Sequence, residues 1–111
     1  MLTSPIRRSD LAALAESGFG DMMKAVVDVR RGVMAIGGEL HSDEEAALLD
    51  DGSEQKDLWG INLYPEELGD EMIEYDSMIN VRPGQGNRSR EVEDLATRDA
   101  IRAIVARWIT E

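Results

Sequence analysis

The sequence contains no cysteine, one histidine and few aromatic residues, with two tryptophans, two tyrosines and one phenylalanine among 111 residues. Without cysteine the chain has no disulfide, no thiolate nucleophile and no cysteine-based zinc site. A single histidine also excludes a metal site with two histidine ligands within one chain. The lack of cysteine is consistent with a reducing compartment, and we expect a cytoplasmic protein.

Long hydrophobic runs are also missing. No stretch approaches the roughly 18 apolar residues that a membrane helix needs, and no apolar run typical of a secretory signal follows the N-terminal residues. Positive charge is scarce, because 12 Lys and Arg residues stand against 23 Asp and Glu residues, which gives a formal net charge of −11. A field of that sign repels nucleic acid, so neither a membrane nor nucleic acid is an expected partner.

What the sequence does contain is enough regular apolar patterning for one domain over residues 1–111. Periodicity and turn residues predict the element order α-β-β-α-β-β-α. The helices are predicted at 9–17, 42–51 and 94–110, and the strands at 22–29, 33–40, 57–64 and 72–82. Hairpin connectivity favours an α+β fold, a mainly antiparallel four-stranded sheet with the three helices packed on one face.

Two of these segments leave alternatives open. The S-x-x-E spacing that starts at Ser42 is typical of a capping box and favours a helix at 42–51, but a strand that turns at Asp51-Gly52 also fits. Both faces of the 57–64 strand are apolar, so we expect a helix to cover one side and a second copy of the chain to cover the other. A homo-oligomer is therefore an expected form of the protein.

The segment from residue 82 to residue 90 is a cationic stretch in an acidic chain. It holds three arginines and no acid, and its glycines let the backbone approach a ligand. Because guanidinium groups suit carboxylates and phosphates, we predict an anion pocket for a small phosphorylated or carboxylated ligand. The predicted ligand-binding residues are Arg82, Gln85, Asn87, Arg88 and Arg90. The open alternative is that these arginines pair with the protein's own carboxylates.

His41 is the only side chain whose ordinary pKa lies near neutrality. It follows the second predicted strand, and as a general base it could serve Ser77 or a bound water. If the protein is an enzyme, we predict His41 and Asp76 as its catalytic residues. The alternative is a hydrogen-bonded histidine at a junction between a strand and a helix.

The chain shows no complete cofactor or metal motif. Gly84 and Gly86 do not open a dinucleotide fingerprint, because Ser89 stands where a third glycine is needed and acidic residues head the following helix. Three acids on or beside predicted strands could hold a hard cation if they converged, but such acids are more often solvated on an open sheet face. These acids are Asp28, Glu39 and Asp76. We predict no cofactor and no metal.

Several longer motifs together resemble a known family. They are Phe19-Gly20-Asp21-Met22-Met23-Lys24-Ala25-Val26-Val27-Asp28-Val29, Met34-Ala35-Ile36-Gly37-Gly38-Glu39-Leu40-His41, Leu58-Trp59-Gly60-Ile61-Asn62-Leu63-Tyr64-Pro65, Asp76-Ser77-Met78-Ile79-Asn80-Val81-Arg82-Pro83 and Gln85-Gly86-Asn87-Arg88-Ser89. The chain is similar to an uncharacterised prokaryotic domain family of unknown function. The resemblance covers nearly the whole chain after the first few residues, and it implies a single-domain protein without implying an activity.

Three hypotheses about function follow. The first is a small binding or interaction protein that associates with itself and holds an anion in the 82–90 loop. The second is a small enzyme acting on a phosphorylated or carboxylated metabolite, with His41 as general base and the arginines stabilising developing charge. The third is an acidic regulatory partner of a basic protein. A pocket that joins His41 to Arg82 and Arg88 favours the second, and arginines that are all paired internally favour the first.

Overall fold

The computed structural model describes residues 1–111 without a gap and shows an α+β fold, as predicted. A four-stranded antiparallel sheet has the strand order β3-β2-β4-β5, and a separate pair of short strands, β1 and β6, is parallel. The strands are β1 (Ile6–Arg7), β2 (Met23–Asp28), β3 (Val33–Ile36), β4 (Leu58–Leu63), β5 (Ile73–Glu74) and β6 (Ile109–Thr110), and the helices are α1 (Arg8–Ser17), α2 (His41–Asp50) and α3 (Leu95–Trp108). None of the helices combines the length and the apolar character that crossing a bilayer requires.

The β2–β3 hairpin forms where the alternation of apolar residues predicted it. Its turn is held by Asp28, which is fully buried and whose Oδ1 accepts the backbone N–H groups of Arg30 and Arg31 at 2.9 and 2.8 Å. The other carboxylate oxygen accepts the hydroxyl of Ser53 at 2.7 Å. Asp28 therefore closes the turn, as short polar side chains commonly do.

The expectation that all helices lie on one face of the sheet is wrong. A large core that includes residues of α1 and α3 covers one face, whereas a smaller core covers the other. The smaller core consists of Val26, Ala35, Leu48 and Leu58, of which Leu48 comes from α2. Because successive side chains of a strand point to opposite faces, β2 and β4 are buried on both sides. The second face of β4 is thus covered by α2 of the same chain, and its burial requires no second subunit.

The helix at α2 is confirmed, but its predicted capping box is not formed. The helix begins one residue early, at His41, so that Leu40 takes the N-cap position and no side chain caps the helix. By contrast, the predicted cap of α3 is present, since Asp94 Oδ2 accepts the N–H of Thr97 at 3.1 Å. The first backbone N–H groups of α2 therefore lack the side-chain acceptor that a Ser, Thr, Asp or Asn at the N-cap commonly provides.

The predicted strand over 72–82 is largely wrong. Only Ile73–Glu74 forms a strand, and a 3₁₀ turn follows at Met78–Asn80. At that turn the side-chain amide of Asn80 replaces a strand backbone, accepting the N–H of Gly60 at 2.8 Å and donating to its carbonyl at 2.9 Å. A Cβ atom on Gly60 would lie 2.6 Å from Ser77, so the close approach depends on glycine.

Two smaller boundaries also differ from the sequence prediction. The second strand ends at Ile36 instead of residue 40, because Gly37 adopts φ +90° and turns the chain out of the sheet. The last helix ends at Trp108, and the next two residues pair with β1 in a register that places Ile109 opposite Ile6. A two-residue parallel pair between the ends of the chain has no local sequence signal.

Candidate functional site

The structure places Arg82 in a role that holds the 82–90 loop to the sheet. Its guanidinium donates to the backbone carbonyls of Gln55, at 2.5 Å, and Leu58, and it stacks on the ring of Trp59 with 4.3 Å to the ring centroid. Burial lowers the pKa of Arg82 below its ordinary value. Gln85 lies beside it and donates to the Lys56 carbonyl at 2.9 Å. These contacts occupy the terminal guanidinium nitrogens of Arg82 and the amide nitrogen of Gln85, whereas Nε of Arg82 is buried without a partner.

Asn87 is buried and organises the same loop from within. Its amide nitrogen donates to the carbonyls of Asn80 and Glu91 at 2.8 and 2.7 Å, and its oxygen accepts the N–H of Glu93 at 2.9 Å. Every polar atom of the side chain is therefore engaged by backbone. A buried amide with this set of partners stabilises a loop rather than recognising a ligand.

The anion that binds the 82–90 loop in this structure is a carboxylate of the protein itself. Glu93 accepts the backbone N–H groups of Arg88 and Ser89 at 2.9 and 2.8 Å, together with the Ser89 hydroxyl at 2.8 Å. These hydrogen bonds hold the pKa of Glu93 below its usual range. The Arg88 guanidinium makes no hydrogen bond and is exposed.

Arg90 is the arginine that the structure brings towards His41. Its Nε forms an ion pair of 2.7 Å with Asp76 Oδ1, and it lines a cleft of about 180 Å³ together with His41. We call this the His41 cleft. Its lining residues are Lys24, Leu40, His41, Ser42, Ser77, Met78, Ile79 and Arg90. Of the predicted site, His41, Asp76 and Arg90 thus come together, whereas Arg82, Gln85, Asn87 and Arg88 lie outside the lining of the cleft.

His41 is fixed in the cleft by one strong hydrogen bond. Its Nε2 lies 2.7 Å from the carbonyl oxygen of Ile61, which can only accept, so Nε2 carries the proton of the neutral ring. Nδ1 then holds the lone pair; it has no partner in the protein and contacts solvent. Burial lowers the pKa of His41, and the positive charge of Lys24 acts in the same direction.

We expect NMR titration of this single histidine to show a pKa below its ordinary value. At pH values above that pKa, the neutral ring should be the Nε2–H tautomer. Burial and Lys24 disfavour the imidazolium, and the Ile61 carbonyl selects the tautomer. The measurement is a ¹⁵N–¹H correlation of the imidazole across the titration, in which the only histidine gives an unambiguous signal. An Nδ1–H tautomer, or a pKa above the ordinary value, would contradict this description.

Glu44 lies one turn along α2 from His41, outside the lining of the cleft. The side chain is only 3% exposed; one oxygen accepts the N–H of Gly38 at 3.0 Å, and the other is buried without a partner. Burial raises the pKa of Glu44 to about 8, so the carboxyl group is mostly neutral at pH 7. Perturbed groups of this kind cluster at functional sites.

Sequence reasoning missed two contributors, Lys24 and Glu44. In the sequence Lys24 is one polar position of the alternating 22–29 strand, and in the structure it is half-buried in β2, a strand with no exposed position. Glu44 is one of three consecutive acids at the start of the predicted 42–51 helix, and acidity alone does not distinguish it from its exposed neighbour Asp43. A weak signal existed for Glu44 alone, because His41 and Glu44 are three residues apart and so share one face of a helix.

A larger cavity lies elsewhere in the structure, but few polar and titratable groups line it. A groove of about 410 Å³ lies between the end of α1 and the end of β3, and apolar side chains such as Leu14, Phe19 and Met22 line it. Glu39 is its only titratable lining residue. No group of three His, Cys, Asp or Glu side chains converges to hold a metal ion anywhere in the structure, and Asp28, Glu39 and Asp76 do not meet. The His41 cleft is the candidate site because it brings together His41, Arg90 and, through the ion pair of Arg90, Asp76.

The arrangement of the cleft permits two kinds of chemistry. Lys24 and Arg90 can bind an anion, and Nδ1 of His41 can accept a proton. Comparison with known proteins adds no activity, because no curated protein and no solved structure matches the chain. A family model described as a protein of unknown function (DUF5674) matches residues 1–108, nearly the full length. The chain belongs to this family of unknown function.

Proposed function

We propose that the protein is a small binding protein that holds an anion in the His41 cleft. The observation that carries the proposal is the sign of the charge there. Lys24 and Arg90 line the cleft and no acid does, and although Asp76 pairs with Arg90 from outside the lining, one excess positive charge remains there in a chain whose formal net charge is −11. The proposed anion site therefore differs from the one predicted from the sequence, because it includes only Arg90 from the 82–90 loop.

The hydroxyl groups and the helix start add donors to these cations. Ser77 is buried, and its Oγ accepts the N–H of Ile79 at 3.3 Å, which leaves its own proton free to donate into the cleft. The uncapped N-terminus of α2 contributes Ser42 and the positive end of the helix dipole. An anion bound here would therefore receive charged and neutral hydrogen bonds from three segments of the chain.

We expect inorganic phosphate and acetate, added at constant ionic strength, to shift the resonances of His41 and Lys24 saturably. Replacing Lys24 by methionine, which has a similar length and no charge, is expected to weaken binding about tenfold, since a hydrogen bond to a charged group contributes roughly 1.5–3 kcal/mol. NMR titration of wild type and variant measures both effects. A bound anion is also expected to raise the pKa of His41.

The matched controls use the cations that lie outside the cleft. Lys56→Met removes the only other lysine, and Arg88→Gln removes an exposed arginine two residues from Arg90. Both variants should bind as the wild type does, whereas Arg90→Gln should bind more weakly. Linear shifts that never saturate, or equal losses in the Lys24 and Lys56 variants, would refute an anion site in the cleft.

A second candidate function is catalysis with His41 as general base. The unpartnered Nδ1 at the cleft favours it, because a base needs a free lone pair beside the bound substrate. Its test is to incubate the protein with phosphorylated and carboxylated metabolites that bind and to follow them by NMR. Consumption that His41→Gln abolishes, while binding persists, favours the enzyme; metabolites recovered unchanged favour the binding protein.

Cellular context and association with other chains complete the proposal. A cytoplasmic location follows from the absence of cysteine, as an expectation about a reducing compartment. Self-association and an acidic regulatory role stay predictions. Analytical ultracentrifugation of the protein alone measures self-association, and the same measurement with a basic protein at several salt concentrations measures the second kind of binding. Binding to a basic protein that salt weakens would support the regulatory role.

A further inference from the structure

We infer that the ligand of the His41 cleft is a small carboxylate with one negative charge and a short branched alkyl group, an inference that rests on the anion binding proposed above. Three properties of the cleft lead to it, namely its size, the balance of charge around it and the apolar residues at its rim.

The size of the cleft limits the ligand to a few heavy atoms. Its volume of about 180 Å³ equals that of roughly six water molecules in the liquid, at about 30 Å³ each. Most sites for larger cofactors and drug-sized molecules start near 300 Å³. A nucleotide or a sugar phosphate would therefore extend well beyond the cleft.

The charge around the cleft favours one negative charge over two. Lys24 and Arg90 are positive, but Asp76 neutralises Arg90 through its ion pair. At pH 7.5 both His41 and Glu44 are mostly neutral, because burial lowers the pKa of His41 and raises that of Glu44 to about 8. One excess positive charge remains, which a carboxylate balances. A phosphate group carries about −1.5 to −2 and would leave negative charge in a partly buried site.

The rim of the cleft is apolar and lies open to solvent. Leu40 and Met78 line the cleft although 55% and 66% of their surface is exposed, and Ile79 lies next to them. The polar residues His41 and Ser77, which directly neighbour Leu40 and Met78 in the sequence, line the same cleft. A ligand whose charged end reaches the polar residues would place an attached alkyl group against Leu40 and Met78.

Four probes of known composition separate the parts of this inference. At pH 7.5, 4-methylpentanoate is expected to bind about tenfold more tightly than acetate, because Leu40 and Met78 bury part of its alkyl group. It is also expected to bind more tightly than inorganic phosphate. The neutral amide, 4-methylpentanamide, should give no saturable shift. NMR titration of the His41 and Lys24 resonances measures all four affinities.

Variants at the rim test the apolar part. Leu40→Ala and Met78→Ser are expected to remove most of the advantage of 4-methylpentanoate over acetate, while acetate itself binds as before, because alanine, like leucine, does not cap the start of α2. Both residues are exposed, so the substitutions leave the core intact. Leu68→Ser is the matched control, because Leu68 is 74% exposed and lies outside the lining of the cleft. It should leave all affinities unchanged.

The outcomes distinguish this inference from the proposed function. Saturable phosphate binding that is as tight as that of 4-methylpentanoate would leave an anion site but overturn the carboxylate, and equal affinities for acetate and 4-methylpentanoate would overturn the alkyl group. No saturable shift with any anion would overturn the anion site itself. N-acetylglycylleucine carries the same carboxylate and isobutyl group at a chain end. Tighter binding of this dipeptide would assign the ligand to a peptide C-terminus, and weaker binding would assign it to a free carboxylate.

Discussion

Replacement of Glu44 by glutamine is expected to stabilise the protein in a strongly pH-dependent way. The difference in unfolding free energy between Glu44→Gln and the wild type should grow by roughly 3 kcal/mol between pH 5 and pH 8. Glu44 ionises near 4.5 in the unfolded chain and near 8 in the folded protein, so the folded state binds more protons across this window. The wild type therefore loses stability as the pH rises from about 4.5 through about 8, and glutamine does not titrate.

Thermal unfolding at a series of pH values measures this effect. For a domain of this size, 1 kcal/mol corresponds to about 4 °C, so the advantage of the variant in Tm should increase by about 12 °C from pH 5 to pH 8. The matched control is Asp43→Asn, which removes a charge from the same helical turn at an exposed position. A difference between Glu44→Gln and wild type that stays constant with pH would show that Glu44 is ionised in the folded protein.

Replacement of Asn80 by alanine is expected to destabilise the protein by about 4 kcal/mol. The change removes the hydrogen bonds to the N–H and carbonyl of Gly60 and a third to the Arg90 carbonyl at 3.0 Å. The two groups of Gly60 lie in a fully buried strand, and each unpartnered buried group costs roughly 1–3 kcal/mol. That loss is a large part of the 5–15 kcal/mol typical of a domain.

Urea unfolding followed by tryptophan fluorescence measures the loss. Asn62→Ala is the matched control, because Asn62 is also buried in β4 but its amide donates to Glu74 and to the Asp76 carbonyl, and its oxygen has no partner. We expect it to cost no more than about 1 kcal/mol. Equal losses of unfolding free energy in the two variants would show that the hydrogen bonds of Asn80 to Gly60 do not replace those of a neighbouring strand.

The two residues of these predictions attach segments that carry residues of the candidate site. Glu44 and Gly38 tie the start of α2 to the chain segment that leaves β3. Asn80 ties the segment carrying Ser77 and Met78 to β4. Both attachments thus hold segments that contribute residues to the lining of the His41 cleft.

The predicted anion loop shows how far sequence reasoning about the site could go. Three arginines free of neighbouring acids suggested a pocket, and one alternative was internal pairing. In the structure Arg90 forms an ion pair with Asp76, which is 14 residues away in the sequence. The Glu93 carboxylate accepts the backbone N–H groups of Arg88 and Ser89. Arg82 is held by backbone carbonyls and Trp59, a kind of partner that the spacing of charges does not reveal.

The sequence by itself determined the helices, the β2–β3 hairpin and β4, because those elements follow from the spacing of apolar side chains along a few consecutive residues. It determined the acidic balance and the single histidine as well. Only the tertiary structure decided that Asn80 replaces the expected strand, that His41 is held by Ile61, and that Glu44 is buried. Each of these features depends on contacts between residues that are far apart in the sequence. The local spacing of apolar residues does not predict such contacts.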